Sequence, residues 1–293
     1  LAREDVAGDK RLVAYVVAGA DSASAADDPQ QLQKDFVLQW QTLYEGLYHK
    51  AEGRAAAAFN ISGWNSSYTG RAIPSEQMQV WRSNTVARVG SVDRQRVWEL
   101  GCGTGLLLLE VAPRCTAYLG TDFSAEALRA LEQEVAGRGL SQVRLERRLA
   151  DDFRGIAPGQ FDLVVLNSVI QYFPGLEYLR RTLEGSLAAL DSGGALFVGD
   201  VRNLALLEAF HASVQLFQAP DELPLEQLRQ RVQRALEVEE ELVVEPDYFR
   251  SLCRELPQLS HAEVLLKRGY DDNEMTRYRY DVFLYQGEAA EPV

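Results

Sequence analysis

The chain has 293 residues, 46% of them apolar and 25% charged, a globular composition and not a disordered or collagen-like one. The net charge of −13 and an isoelectric point near 4.8, with no long basic run, argue against a nucleic-acid partner held through its phosphates. No apolar run reaches the roughly 20 residues that cross a bilayer, so no membrane role is expected.

Cys102, Cys115 and Cys253 are widely spaced and form neither a disulfide framework nor a metal-ligand spacing, which points to a cytoplasmic setting. No secretory signal is visible, and the chain opens at Leu1 as a piece cut from a longer polypeptide would. Residues 1–18 read as a polar turn followed by a strand over Arg11 to Val17, and residues 19–30 as an acidic linker. Phe36, Trp40, Leu43, Tyr44 and Leu47 recur at helical spacing, predicting a helix from Leu32 to His49. An irregular stretch from Phe59 ends at Pro74, which opens a helix over residues 74–90.

From Arg96 strand and helix alternate. RVWEL is a buried strand, followed by the glycine loop GCGTG and a helix over LLLLEVAP that stops at Pro113. TAYLGTDF is a second strand, followed by a helix that Ser124 caps. VRLERRLADDF carries a third strand, and the continuously apolar FDLVVLNSV a fourth. A helix from about Tyr178 to Leu190 leads to a fifth strand, ALFVGDV. Residues 203–256 read as two or three helices forming a cap beside the carboxyl ends of the strands. AEVLLKRG and RYRYDVFLYQG close the sheet as two last strands. The expected fold is α/β: a doubly wound, mostly parallel, seven-stranded Rossmann-like sheet.

Glu99-Leu100-Gly101-Cys102-Gly103-Thr104-Gly105 lies between a strand and a helix, where glycines let backbone approach a ligand. A dinucleotide fingerprint fails, because the required final glycine or alanine is Leu106 or Leu108, and no Lys-Ser/Thr pair follows for a nucleotide triphosphate. Asp122 closes the second strand about 20 residues on, where an acid accepts from ribose hydroxyls. Asp151 and Asp152 end the third strand, where an adenine edge would lie. Together these describe an adenosine site without phosphate-binding machinery.

ELGCGTG followed by YLGTDFS resembles the class I S-adenosylmethionine-dependent methyltransferases, over roughly residues 90–287. FNISGWNSSYTGRAIPSEQMQVW, NSVIQYFPGLEYL and FVGDVRNLALLEAFHASVQLFQA resemble more narrowly the methyltransferase domains embedded in nonribosomal peptide synthetases. AREDVAGDKRLVAYVVA resembles a strand from the carboxyl-terminal part of an adenylation domain, just after which the embedded N-methyltransferases are inserted. The resemblance implies four parts: an adenylation-like remnant over 1–18, a linker and helical segment over 19–90, a methyltransferase domain over 91–287 with a cap over 203–256, and a tail over 288–293. It implies S-adenosylmethionine as cofactor and S-adenosylhomocysteine as product. The implied partners are a carrier protein bearing an aminoacyl phosphopantetheine and an adjacent adenylation domain. The implied reaction is N-methylation of the aminoacyl amine. Methylation of a side-chain oxygen, a carbon or a heterocycle nitrogen, and an epimerase or structural domain without transfer, stay open as alternatives.

Methyl transfer needs donor and acceptor held in line, and an amine stripped of its extra proton. Candidates for orienting that amine or taking its proton sit at the strand ends and on the cap: Asn167, Asp200, Tyr172 and His211. The expected cofactor set is Tyr68, Glu99, Gly101, Cys102, Gly103, Asp122, Phe123, Ala150, Asp151, Asp152, Asn167 and Ser168. The resemblance places the segment before the first sheet strand over the cofactor, with Tyr68 covering the methionine end. No metal is expected.

Overall fold

The computed structural model describes residues 2–4, 10–12, 29–51, 59, 61 and 63–287, and falls into two units, Leu1–Phe36 and Val37–Val293. In the first, β1 (Ala2–Glu4) and β2 (Lys10–Leu12) pair antiparallel. The expected strand over Arg11 to Val17 is present through Leu12, and residues 13–17 lie outside the described residues, as do most of the linker and the tail. Helix α1 (Pro29–Ala51) starts three residues earlier than its apolar periodicity suggests.

The second unit is a seven-stranded sheet in the order β5-β4-β3-β6-β7-β9-β8. Its strands are β3 (Arg96–Leu100), β4 (Ala117–Asp122), β5 (Val143–Arg147), β6 (Phe161–Asn167), β7 (Leu190–Arg202), β8 (Leu259–Leu266) and β9 (Arg279–Gln286). β9 runs antiparallel to both neighbours and the other pairings are parallel. The order reverses between β3 and β6, which opens a crevice at their carboxyl ends.

Apolar side chains leave both faces of the central strands. Trp98, Leu100, Val164 and Leu196 pack with helices α5 (Leu176–Ala189) and α8 (Pro246–Glu255). Val97, Leu163, Val165 and Phe197 pack on the other face with α3 (Leu108–Val111) and α4 (Ala125–Gly137). The sheet is therefore the middle of three layers, and its central strands read as unbroken apolar runs for that reason. Ser124 caps α4 by accepting from the Ala127 N–H.

Several boundaries differ from the sequence reading. Pro74 precedes α2 (Ser75–Val89) instead of opening it. The helix over LLLLEVAP shrinks to α3, because Pro113 has no N–H to continue it and residues 112–114 tighten into a 3-10 turn. β5 ends at Arg147, so Asp151 and Asp152 lie in the following turns and do not end a strand. The 203–256 segment divides. α6 (Leu207–Gln218) and α7 (Leu225–Glu237) form the cap, whereas α8 belongs to the sheet layers. Phe249, Leu252 and Leu256, at helical spacing, bury α8 in the main core. A short helix, α9 (Glu274–Arg277), stands in the loop before β9, capped by Asn273.

Candidate active site

A cavity of about 730 Å³ lies over the carboxyl ends of β3, β4, β6 and β7, roofed by α6 and the end of α7. That volume suits a cofactor-sized ligand. Glu99, Gly101, Cys102, Gly103, Asp122, Phe123, Ala150, Asn167, Ser168, Tyr172 and His211 all line it.

The glycine-loop end is built by backbone. Gly101 sits at φ +73, and a Cβ there would come within 2.5 Å of the Val169 Cγ2. Asp122 accepts from the Gly103 N–H and the Ser124 N–H, each at 2.8 Å. Its carboxylate thus holds the loop open and fixes the start of α4, while each oxygen keeps a lone pair for a ligand hydroxyl. Burial pushes the Asp122 carboxyl up, and the backbone donors oppose that. Glu99, fully buried beside it, is pushed up to about 8 by burial, against the Tyr118 hydroxyl that donates to it at 2.7 Å. The Cys102 thiol is raised by burial and by both neighbouring carboxylates. It is an unreactive small residue, its Sγ beside Gly120.

The residues present fit an adenosyl cofactor. The loop offers glycine backbone at Gly101 and Gly103, Asp122 an acceptor at its edge, and Leu149 and Ala150 an apolar wall. Three expected cofactor residues stand off the cavity wall. Asp151 accepts from the Tyr178 hydroxyl at 2.8 Å. Asp152 is engaged by Arg154, whose Nη2 lies at 2.7 Å. Both carboxylates are consumed locally, because the chain turns after Arg147 and points Leu149 and Ala150 inward instead. Tyr68 donates to the Ser213 hydroxyl at 3.1 Å and packs edge-on against Phe217, so it braces the cap. Trp64, four residues before it, lines the cavity in its place and packs on Trp81.

The other end is built by charge. Asp200 is completely buried at φ +64, in a left-handed conformation costing about 1–3 kcal/mol for a side-chain-bearing residue. It accepts from Arg279 at 2.7 Å and from the Ser168 hydroxyl at 2.8 Å. Burial acts to raise this carboxyl, but Arg279 and Lys267 override it and hold the group below its ordinary value. Asp200, expected to orient the amine or take its proton, is not on the cavity wall and lies beneath it, held by its own partners. Asp281 completes the cluster, paired with Arg88 at 2.5 Å and Lys267 at 3.0 Å.

Asn167 ends β6 with its Nδ2 on the Ser168 hydroxyl at 3.0 Å. Its Oδ1 crosses over Gly199, where a Cβ would stand 2.2 Å away, so the glycine is a condition of this placement. The Tyr172 ring packs against Trp40 and Tyr44 of α1, at 4.7 and 5.1 Å between centroids. Burial raises its phenol, so at neutral pH it is a donor and not a base. His211 meets Glu239 through Nε2 at 3.1 Å, and Arg202 reaches both Glu239 and Glu241, tying the cap to the end of β7.

Sequence reasoning missed the cavity contributions of Trp40, Tyr44, Glu239, Glu274 and Arg279. The aromatic pair carried a signal, two rings four residues apart on an amphipathic helix. Arg279 carried none, since it enters the site because β9 runs backwards.

Residues 98–196 match a methyltransferase domain model. Chondramide synthase of Chondromyces crocatus is 50% identical over 95% of this chain and 7% of its own length. A protein described as a probable nonribosomal peptide synthetase, CymA of Salinispora arenicola, is 40% identical over 99% of this chain and 4% of its own length. The chain thus spans less than a tenth of these relatives. The magnesium protoporphyrin IX methyltransferase of Synechocystis, solved with bound S-adenosylmethionine, shares the fold at a TM-score of 0.53 and 13% identity, covering 86% of this chain and 98% of that one. The chain thus matches a methyltransferase domain model over its central third, has the fold of the Rossmann-like class I methyltransferases, and is similar over nearly its whole length to segments of nonribosomal peptide synthetases.

Proposed function

We propose that this domain N-methylates the amino group of an aminoacyl thioester held on a carrier protein, with S-adenosylmethionine as its cofactor. When bound, the cofactor supplies a methyl group on a sulfonium centre. The observation that supports the reading is one cavity lined at one end by Gly101, Gly103 and Asp122 and at the other by polar side chains under a helical cap. Similarity over nearly the whole chain to segments of peptide synthetases favours a tethered aminoacyl substrate and an adjoining adenylation domain, of which residues 1–18 are the proposed remnant. The remaining proposed parts are the linker and helical segment over 19–90, the methyltransferase domain over 91–287 and the tail over 288–293.

In this reading Gly101, Cys102 and Gly103 present backbone to the nucleoside, and Asp122 accepts from its ribose. Trp64 and the aromatic wall of Trp40 and Tyr172 exclude water and favour a cation over their faces, by about 0.5–2 kcal/mol. Asn167 orients the amine. His211 takes its proton: a carboxylate on Nε2 keeps the hydrogen there and leaves Nδ1 as an acceptor. The test is transfer from deuteriomethyl-labelled cofactor to a loaded carrier protein, with the label located by tandem mass spectrometry. A label on the amine nitrogen supports the reading. A label on oxygen or carbon favours the alternative acceptor atoms, and cofactor binding without transfer favours a non-transferring domain.

A further inference from the structure

Arg202 and Arg279 face each other across the β7–β9 ladder at the acceptor end of the sheet. Arg202 is occupied through both terminal nitrogens by Glu239 and Glu241. Arg279 is not. Among the described residues its hydrogen bonding runs through one nitrogen, Nη1, to Asp200. A guanidinium carries five N–H donors in a rigid fork, so Nε and Nη2 have donors to spare. The side chain is 13% exposed and lines the cavity. Burying such a cation is costly unless its donors find acceptors, and the cavity is where one can reach them.

Asp200 fixes the fork in place, itself held by Ser168, Lys267 and the Trp81 indole. Neighbouring strands are about 4.8 Å apart, so β9 stands roughly 14 Å from β3 and its nucleoside loop. One carboxylate separates Arg279 from Ser168 at the end of β6, beside Asn167. The guanidinium therefore serves the acceptor and not the cofactor. Asp200, Glu241 and Glu274 surround it, the first shared with Lys267 and the second with Arg202. A carbonyl oxygen, with two lone pairs, can accept from these spare donors.

We propose that Arg279 is a substrate-binding residue that donates from Nε and Nη2 to the carbonyl oxygen of the aminoacyl thioester, with Asp200 as the residue that positions it. This rests on the carrier-bound reading above. The carbonyl carbon is bonded to the carbon that bears the amine, so a grip on its oxygen fixes the nucleophile.

The test compares two probes in the presence of S-adenosylhomocysteine, which cannot donate a methyl group. One is an aminoacyl N-acetylcysteamine thioester and the other its amino-thioether analogue lacking the carbonyl. Binding is read by the fluorescence of Trp40, Trp64 and Trp81, which line the cavity. The wild type is expected to prefer the thioester by roughly 10- to 100-fold, and Arg279→Met to bind both alike. Should Arg279→Met fail to fold, Arg279→Lys keeps a cation on Asp200 and loses the fork, and most of the preference is expected to vanish. A wild type that binds both probes equally, a variant that keeps the full preference, or a variant that loses S-adenosylhomocysteine affinity tenfold would each overturn the assignment. If the wild type shows no preference yet N-methylates the loaded carrier, the function stands without the clamp. If the preference depends on Arg279 but the methyl lands on another atom, the clamp stands without N-methylation.

Discussion

The two ends of the cavity are made of different materials. The glycine loop is built from backbone: positive φ at Gly101, N–H groups drawn into line by Asp122, and no salt bridge among the described residues. The acceptor end is built from side-chain charge, with Asp200, Asp281, Arg88, Lys267 and Arg279 in one buried cluster and Arg202, Glu239, Glu241 and His211 in another. In the proposed reading the first end binds the same ligand in every turnover and tolerates rigidity. The second has its charges mostly paired among themselves, so what it offers a substrate is the remainder, a few donors and acceptors left over from the networks.

If that division is right, breaking the charged end damages the fold more than breaking the loop end. Asp281→Ala leaves Arg88 and Lys267 without their shared buried partner and is expected to cost about 3–5 kcal/mol in denaturant unfolding. Gly101→Ala combines a left-handed side chain with a collision at Val169, roughly 2–4 kcal/mol, and is expected to abolish S-adenosylhomocysteine binding by calorimetry. Asp122→Ala removes a charged acceptor worth ~1.5–3 kcal/mol, weakening that binding by about tenfold to a hundredfold.

Glu99 gives a pH-graded effect. Its folded carboxyl titrates near 8 and its ordinary value is 4.5. The folded state therefore holds an extra proton between the two, and stability declines as pH rises through that window. Denaturation midpoints of the ligand-free protein are expected to fall over this range, and Glu99→Gln to flatten the decline. Smallest is Asp152→Asn. Its carboxylate is spent on Arg154, so cofactor affinity is expected to hold within about 0.5 kcal/mol. A large loss would restore the adenine-edge role that its position in the sequence suggested.

The contrast also explains what could be read from the chain. The loop end was legible because its parts are local. A strand, five residues of loop and an acid about 20 residues on fix their own geometry, and the sheet order follows from alternation and buried runs. The adenine edge was misread because β5 ends at Arg147, before Asp151 and Asp152, and the irregular stretch after it decides which side chains face inward, with no residue in VRLERRLADDF announcing it. Asp200 stands off the cavity wall for a different reason. Its partners Arg279 and Asp281 lie 79 and 81 residues away, and only the reversal of β9 brings them under β7. The same reversal delivers Arg279 to the cavity. α8 was taken for cap because its length and polarity match α7, and only its apolar spacing at Phe249, Leu252 and Leu256 sets it apart.

The central claim is that the amine is methylated while tethered. A free amino acid carries its amine as an ammonium beside a carboxylate. Thioester formation removes that negative charge and lowers the amine's pKa, so more of it is neutral and nucleophilic. Tethering also raises its local concentration to about millimolar for a short flexible arm. The most direct measurement compares initial rates of methyl transfer to free amino acid, thioester mimic and loaded carrier at equal concentration, with product mass read after thioester hydrolysis. The account predicts N-methyl product in the order loaded carrier, thioester mimic, free amino acid, with the last close to background; equal rates on all three would contradict it.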